Sequence, residues 1–109
     1  MEFKKRLHYA KTNAITVEIN IGWVGEALVL EGYDIGKTVE KFHGDSDYEY
    51  SITVKGNDLE KLYHLNNIDP GKKNELLDTI SDKINGNYAY SLFRQYLKDN
   101  DIEFEAMLF

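Results

Sequence analysis

Residues 15–21 alternate strictly, with Ile15, Val17, Ile19 and Ile21 on one parity and Thr16, Glu18 and Asn20 on the other. A period of two is that of a strand with one face buried and one face wet. Residues 2–10 alternate more loosely, with Phe3, Leu7 and Tyr9 on one parity. With Thr12-Asn13 as a turn, the two segments predict a hairpin. Gly22 and Gly25 bracket Trp23-Val24, which predicts a turn or bulge. Residues 26–33 are apolar on both parities at their centre, so a third strand is expected there, covered on both faces over part of its length. Residues 37–44 are ambiguous between a helical turn and an extended piece. Gly44-Asp45-Ser46-Asp47 predicts a loop, and residues 48–55 alternate again, with Tyr48, Tyr50, Ile52 and Val54 inward.

The period then changes. Leu59, Leu62 and Tyr63 form a helical stripe over 58–65, with Asn57 and Glu60 spaced as a capping box. Asp69-Pro70 reads as an N-cap followed by proline at the first helical position. The helix it opens, 70–84, carries Leu76, Leu77, Ile80 and Ile84 on one face, and Gly86 ends it. Ala89, Leu92, Phe93, Tyr96 and Leu97 make the stripe of a helix at 88–98. Ile102, Phe104, Ala106 and Leu108 alternate with Glu103 and Glu105, a closing strand in which Ile102, Phe104 and Leu108 each add buried area. Strands, helices, then a strand predict an α+β domain over 1–109. It has a mainly antiparallel sheet of four to five strands, about three helices packed on it, and a C-terminal strand.

Composition narrows the chemistry. The 109 residues suit one domain. There is no cysteine, which excludes disulfides, thiolate metal sites and a cysteine nucleophile. No apolar run approaches the ~20 residues of a membrane span. Lys4, Lys5 and Arg6 are not followed by the apolar stretch of a secretion signal, so a cytoplasmic protein is expected. The net charge is −6. Eight acids (Glu18, Glu26, Glu31, Asp34, Glu40, Asp45, Asp47 and Glu49) against Lys37 and Lys41 put −6 into residues 18–49 alone. Such a field repels nucleic acid and attracts basic surfaces.

Catalytic motifs are absent: no Gly-x-Ser-x-Gly, no dinucleotide fingerprint and no phosphate loop. His43 beside Asp45 and Asp47 could serve a small hydrolase as an acid–base group. A solvated loop cluster has the same composition. The alternating acids from Asp45 fail the calcium-loop pattern, since the sixth position is Tyr50 rather than glycine. The sequence thus points to no enzyme, no metal and no cofactor. It points to a binding surface built from Trp23, Glu26, Glu40, His43, Asp45, Asp47, Tyr48 and Glu49, an aromatic-and-acid composition suited to a basic partner. Trp23 as a core residue is the open alternative.

Three segments, Asp34-Ile35-Gly36-Lys37-Thr38-Val39-Glu40, Gly44 through Val54, and Ile102-Glu103-Phe104-Glu105, resemble immunity proteins of bacterial contact-dependent growth inhibition and related polymorphic toxin systems. The resemblance implies a small cytoplasmic inhibitor that binds one cognate toxin domain, commonly a nuclease, as a monomer in a one-to-one complex. Its carboxylates would occupy or flank a basic active site. A regulatory or adaptor module for another basic protein fits the same charge map.

Overall fold

Alternating apolar positions draw three consecutive segments into one sheet, and a fourth, residues 2–11, joins it with only Leu7 buried. The computed structural model describes residues 1–36 and 47–108, with Asp47 described by its backbone only. Strands β1 (Glu2–Lys11), β2 (Ile15–Val24), β3 (Ala27–Gly36) and β4 (Asp47–Val54) are followed by helices α1 (Gly56–Leu65), α2 (Lys73–Ile84) and α3 (Ala89–Asp99). Strand β5 (Glu105–Leu108) then returns to the sheet. The sheet is antiparallel throughout, in the order β1-β2-β3-β4-β5. The α+β architecture expected from the periodicity is therefore present, with five strands and three helices among the described residues.

Register makes the two faces of the sheet chemically different. Ile19, Ile21 and Trp23 of β2 share a face with Leu28 and Leu30 of β3 and with Ile52 and Val54 of β4. All seven are buried in one cluster with Leu62, Leu76, Ile80, Ile84, Phe93 and Leu97 of the helices. Each such side chain is worth ~1.5–3 kcal/mol when removed from water, so this layer contact holds the fold. Further ties join β1 to α2: Lys5 pairs with Asp78, and the Gly86 N–H just beyond α2 donates to the Leu7 carbonyl at 3.0 Å.

Four local expectations are corrected. Trp23 does not sit in a turn; β2 runs through it to Val24. In β1, register shifts between Glu2 and Lys5 and between Arg6 and His8 break the parity. Leu7 is buried while Phe3 and Tyr9 are exposed, because an extra residue in a strand rotates everything beyond it to the other face. Asp69-Pro70 does not cap a helix. The Lys72 N–H donates to the Asp69 carbonyl at 3.2 Å, and Gly71 takes φ +94°, so Pro70-Gly71 forms the centre of a type II turn. The helix starts afterwards, at Lys73. Nor does Asn57 cap α1: Lys55 is at the N-cap, with no side-chain hydrogen bond.

The closing strand is also shorter than its pattern suggests. Ile102 is 3% exposed and Leu108 63%, and only residues 105–108 pair with β4. The expected burial of Leu108 fails because it borders an open groove of about 470 Å³ between the strand end and α3, whereas Ile102 enters the core before the strand begins. Ile102→Ala should therefore cost ~2–5 kcal/mol, and Leu108→Ala no more than ~0.5 kcal/mol. Urea denaturation of the two variants checks this; equal losses would mean that the last strand, not its approach, carries the stability.

Candidate functional site

Among the described residues, α1, α2 and α3 all pack on one face of the sheet and leave the second face bare. By register its central positions are Glu18 and Asn20 of β2, Glu31 and Tyr33 of β3, and Glu49 and Ser51 of β4. Residues directly opposite each other in a sheet share a face and touch side by side. One row therefore runs Tyr9–Glu18–Tyr33–Glu49 across four strands. The next runs Arg6–Asn20–Glu31–Ser51–Met107 across all five.

Acids occupy the middle of this face, and its cations stand at the β1 margin. The Arg6 guanidinium lies 4.8 Å from the centre of the Tyr9 ring, and its Nε is 3.6 Å from Glu18 Oε1. Among the described residues, neither Glu31 nor Glu49 has a cation within ion-pair distance. Tyr33 stands between them. Partial burial, then the charges of Glu31 and Glu49, push its phenol above the ordinary value of 10.0. A shallow depression of about 130 Å³ is lined by Glu31, Tyr33, Glu49 and Ser51, with Gly32 and Tyr50 between them in the chain.

The residues expected to form one binding surface are separated. Trp23 is 1% exposed; its Nε1–H donates to the Lys73 carbonyl at 3.3 Å, and the Lys73 ammonium lies 5.2 Å from its ring. The ring is part of the core and offers no exposed anchor. Glu26 is at the β2–β3 turn, paired with Lys73 at 3.1 Å. That is roughly 23 Å along the strand from Tyr33 at ~3.3 Å per residue. Tyr48 and Glu49 are neighbours in a strand and so point to opposite faces. Tyr48 lies on the helix side, its ring centroid 5.8 Å from that of Tyr50, in a groove of about 470 Å³ shared with Tyr90, Arg94 and Leu108. Of the expected set, Glu49 alone is placed on the bare face by its described side chain. Asp47 begins β4, and Glu40, His43 and Asp45 lie outside the described residues.

Asp34 is drawn away from the acidic face as well. It accepts a hydrogen bond from the Tyr50 hydroxyl at 3.3 Å, and the Tyr50 ring meets Tyr90 of α3 edge-on, 5.1 Å between centroids. The ring passes over Gly32, where any Cβ would overlap it. Burial and then the Asp34 charge raise the Tyr50 phenol well above 10.0. The folded state thus holds this proton more tightly than the unfolded chain does. Its contribution to stability is complete below pH 10 and is lost as pH rises toward the folded value. Between pH 9 and pH 11 the parent should lose more unfolding free energy in urea than Tyr50→Phe does. Equal losses would show that Tyr50 is not the titrating group.

Among the described residues no group of three His, Asp or Glu side chains is arranged to hold a metal ion, and no helix is long and apolar enough to cross a membrane. Sequence reasoning missed Glu18, Glu31 and Tyr33 as a site. The signal was parity: Glu18 and Glu49 each stood on the polar side of a clean alternation. No family model, no curated protein and no solved structure matches the chain.

Proposed function

We propose that the protein is a binding inhibitor of a basic protein, an immunity protein that neutralises one cognate toxin domain of nuclease type, and that the bare face of its sheet makes the contact. The observation that carries this reading is Tyr33 set among Glu18, Glu31 and Glu49 on the sheet face opposite α1, α2 and α3. A half-buried aromatic ringed by carboxylates offers contact area at the centre and attraction around it. The face acts through surface chemistry alone, so inhibition is by occupancy and not by turnover. A rigid sheet presents the carboxylates in a fixed array, which limits the entropy lost when a partner docks. One such face per chain matches a one-to-one complex formed in the cytoplasm.

Association kinetics test the reading. With a basic nuclease domain encoded beside the gene as partner, the on-rate should fall about tenfold or more as salt is raised from low to physiological strength, because screening removes the steering field. Protection of cells from that nuclease should follow the same affinity. An on-rate indifferent to salt would reduce the acidic face to a solubility feature.

A further inference from the structure

The row Tyr9–Glu18–Tyr33–Glu49 repeats one unit twice, a tyrosine followed by a glutamate on the next strand. The first unit is filled. Arg6 lies over the Tyr9 ring at 4.8 Å and reaches Glu18 at 3.6 Å, which is how a guanidinium uses a tyrosine face and a carboxylate together. The second unit, Tyr33 with Glu49, has no such cation among the described residues, although Glu31 beside it adds a further carboxylate.

A separate observation concerns the neighbour of Glu31 on β2. Asn20, directly opposite Glu31, is 2% exposed. Its Nδ2 donates to Glu18 Oε1 at 3.3 Å, and its Oδ1 is buried without any donor. A buried acceptor left without a donor is unfavourable, so an arriving N–H group gains there what the free protein lacks. The oxygen is closed off from bulk water, so that donor has to enter between the side chains of the cluster. A guanidinium, flat and with five N–H groups in a fixed fork, suits this better than the compact, strongly hydrated ammonium of lysine.

We propose that Tyr33, Glu31 and Glu49, with Asn20 beside Glu31 on the neighbouring strand, are the receptor for one arginine side chain of the partner. This rests on the reading that the bare face binds a basic protein, and it names the group that is recognised. The depression beside Tyr33, about 130 Å³, is large enough to admit one planar head group.

The test titrates the whole chain with hexa-arginine and, separately, hexa-lysine peptides, followed by backbone amide NMR shifts. Hexa-arginine should bind about fivefold or more tightly than hexa-lysine, with the largest shifts at Glu31, Tyr33 and Glu49. Tyr33→Leu should erase the preference, and Tyr33→Phe, which keeps the ring, should retain it. The arginine-to-lysine ratio of the parent is informative even if Tyr33→Leu fails to fold. If both peptides bind equally and Glu31→Lys with Glu49→Lys weakens both, the basic-partner reading stands and the arginine receptor is overturned. If neither peptide binds the face, both are overturned. Shifts centred on Tyr48 and Arg94 would also overturn the receptor, moving the site to the helix side.

Discussion

Replacing Trp23 with alanine should remove ~3–5 kcal/mol of stability and lower Tm by many degrees. The ring is among the largest buried side chains and sits where β2, β3 and α2 meet: Leu28 is opposite it in the sheet, and the Lys73 carbonyl accepts its N–H. Truncation removes the transfer free energy of the ring and leaves a cavity, together ~3–5 kcal/mol. Against a typical stability of ~5–15 kcal/mol, that is between about a fifth and the whole of it. Trp23→Phe keeps most of the volume and should cost less, the remainder being the lost hydrogen bond to Lys73 and the cation contact. Thermal unfolding followed by circular dichroism reads both variants. A fall in Tm of only a degree or two for the alanine variant would show that the ring is not part of the core, and would return Trp23 to the list of surface anchors.

The second large effect is on binding. Reversing Glu31 and Glu49 together to lysine should weaken the complex with the nuclease partner by ~2–5 kcal/mol, at least about thirtyfold. The two carboxylates flank the depression at Tyr33, so like charges would then face the basic partner at the centre of contact. The fold should survive, because both positions are on the bare face. Net charge is separated from location by a control, Glu60→Lys with Glu75→Lys on the helices. Both double variants move the chain from −6 to −2, yet the control should change the complex only through slower association. Equal weakening by the two pairs would mean that the whole acidic field, rather than this face, holds the partner.

How much of this was legible in the sequence varies with the physics behind each element. The strands with clean parity, β2 and β4, and the helices with apolar stripes were readable because one face of each is buried over most of its length, although Leu92, counted in the α3 stripe, is exposed. Leu76, Leu77, Ile80 and Ile84 are all buried, as are Ala89, Phe93 and Leu97. Strand β1 misled because an extra residue near Leu7 is invisible in a pattern that alternates only loosely. Trp23 misled because flanking glycines read as a turn. Gly22 instead lies within β2, next to Met1 and the Glu2 carbonyl, where a side chain would not fit. The acidic face was half visible. Glu18 and Glu49 declared their parity, but Glu31 and Tyr33 were hidden in a segment apolar on both sides. Cross-strand register, which brings residues 18, 33 and 49 into one row, is a property of pairing that no single strand encodes.

The chain order also has a consequence during synthesis. All of β1 to β4 leaves the ribosome before α1, α2 and α3 do, so the apolar side of that sheet lacks the helices that bury it in the finished fold. At about 5–20 residues per second, the interval between Val54 and Leu97 lasts roughly 2–9 s. Throughout that window Ile19, Ile21, Trp23, Leu28, Leu30, Ile52 and Val54 form a sticky nascent surface. A holding chaperone, or the exit-tunnel wall itself, would have to shield them, so slow codons placed after the fourth strand would endanger this protein more than slow codons placed before it.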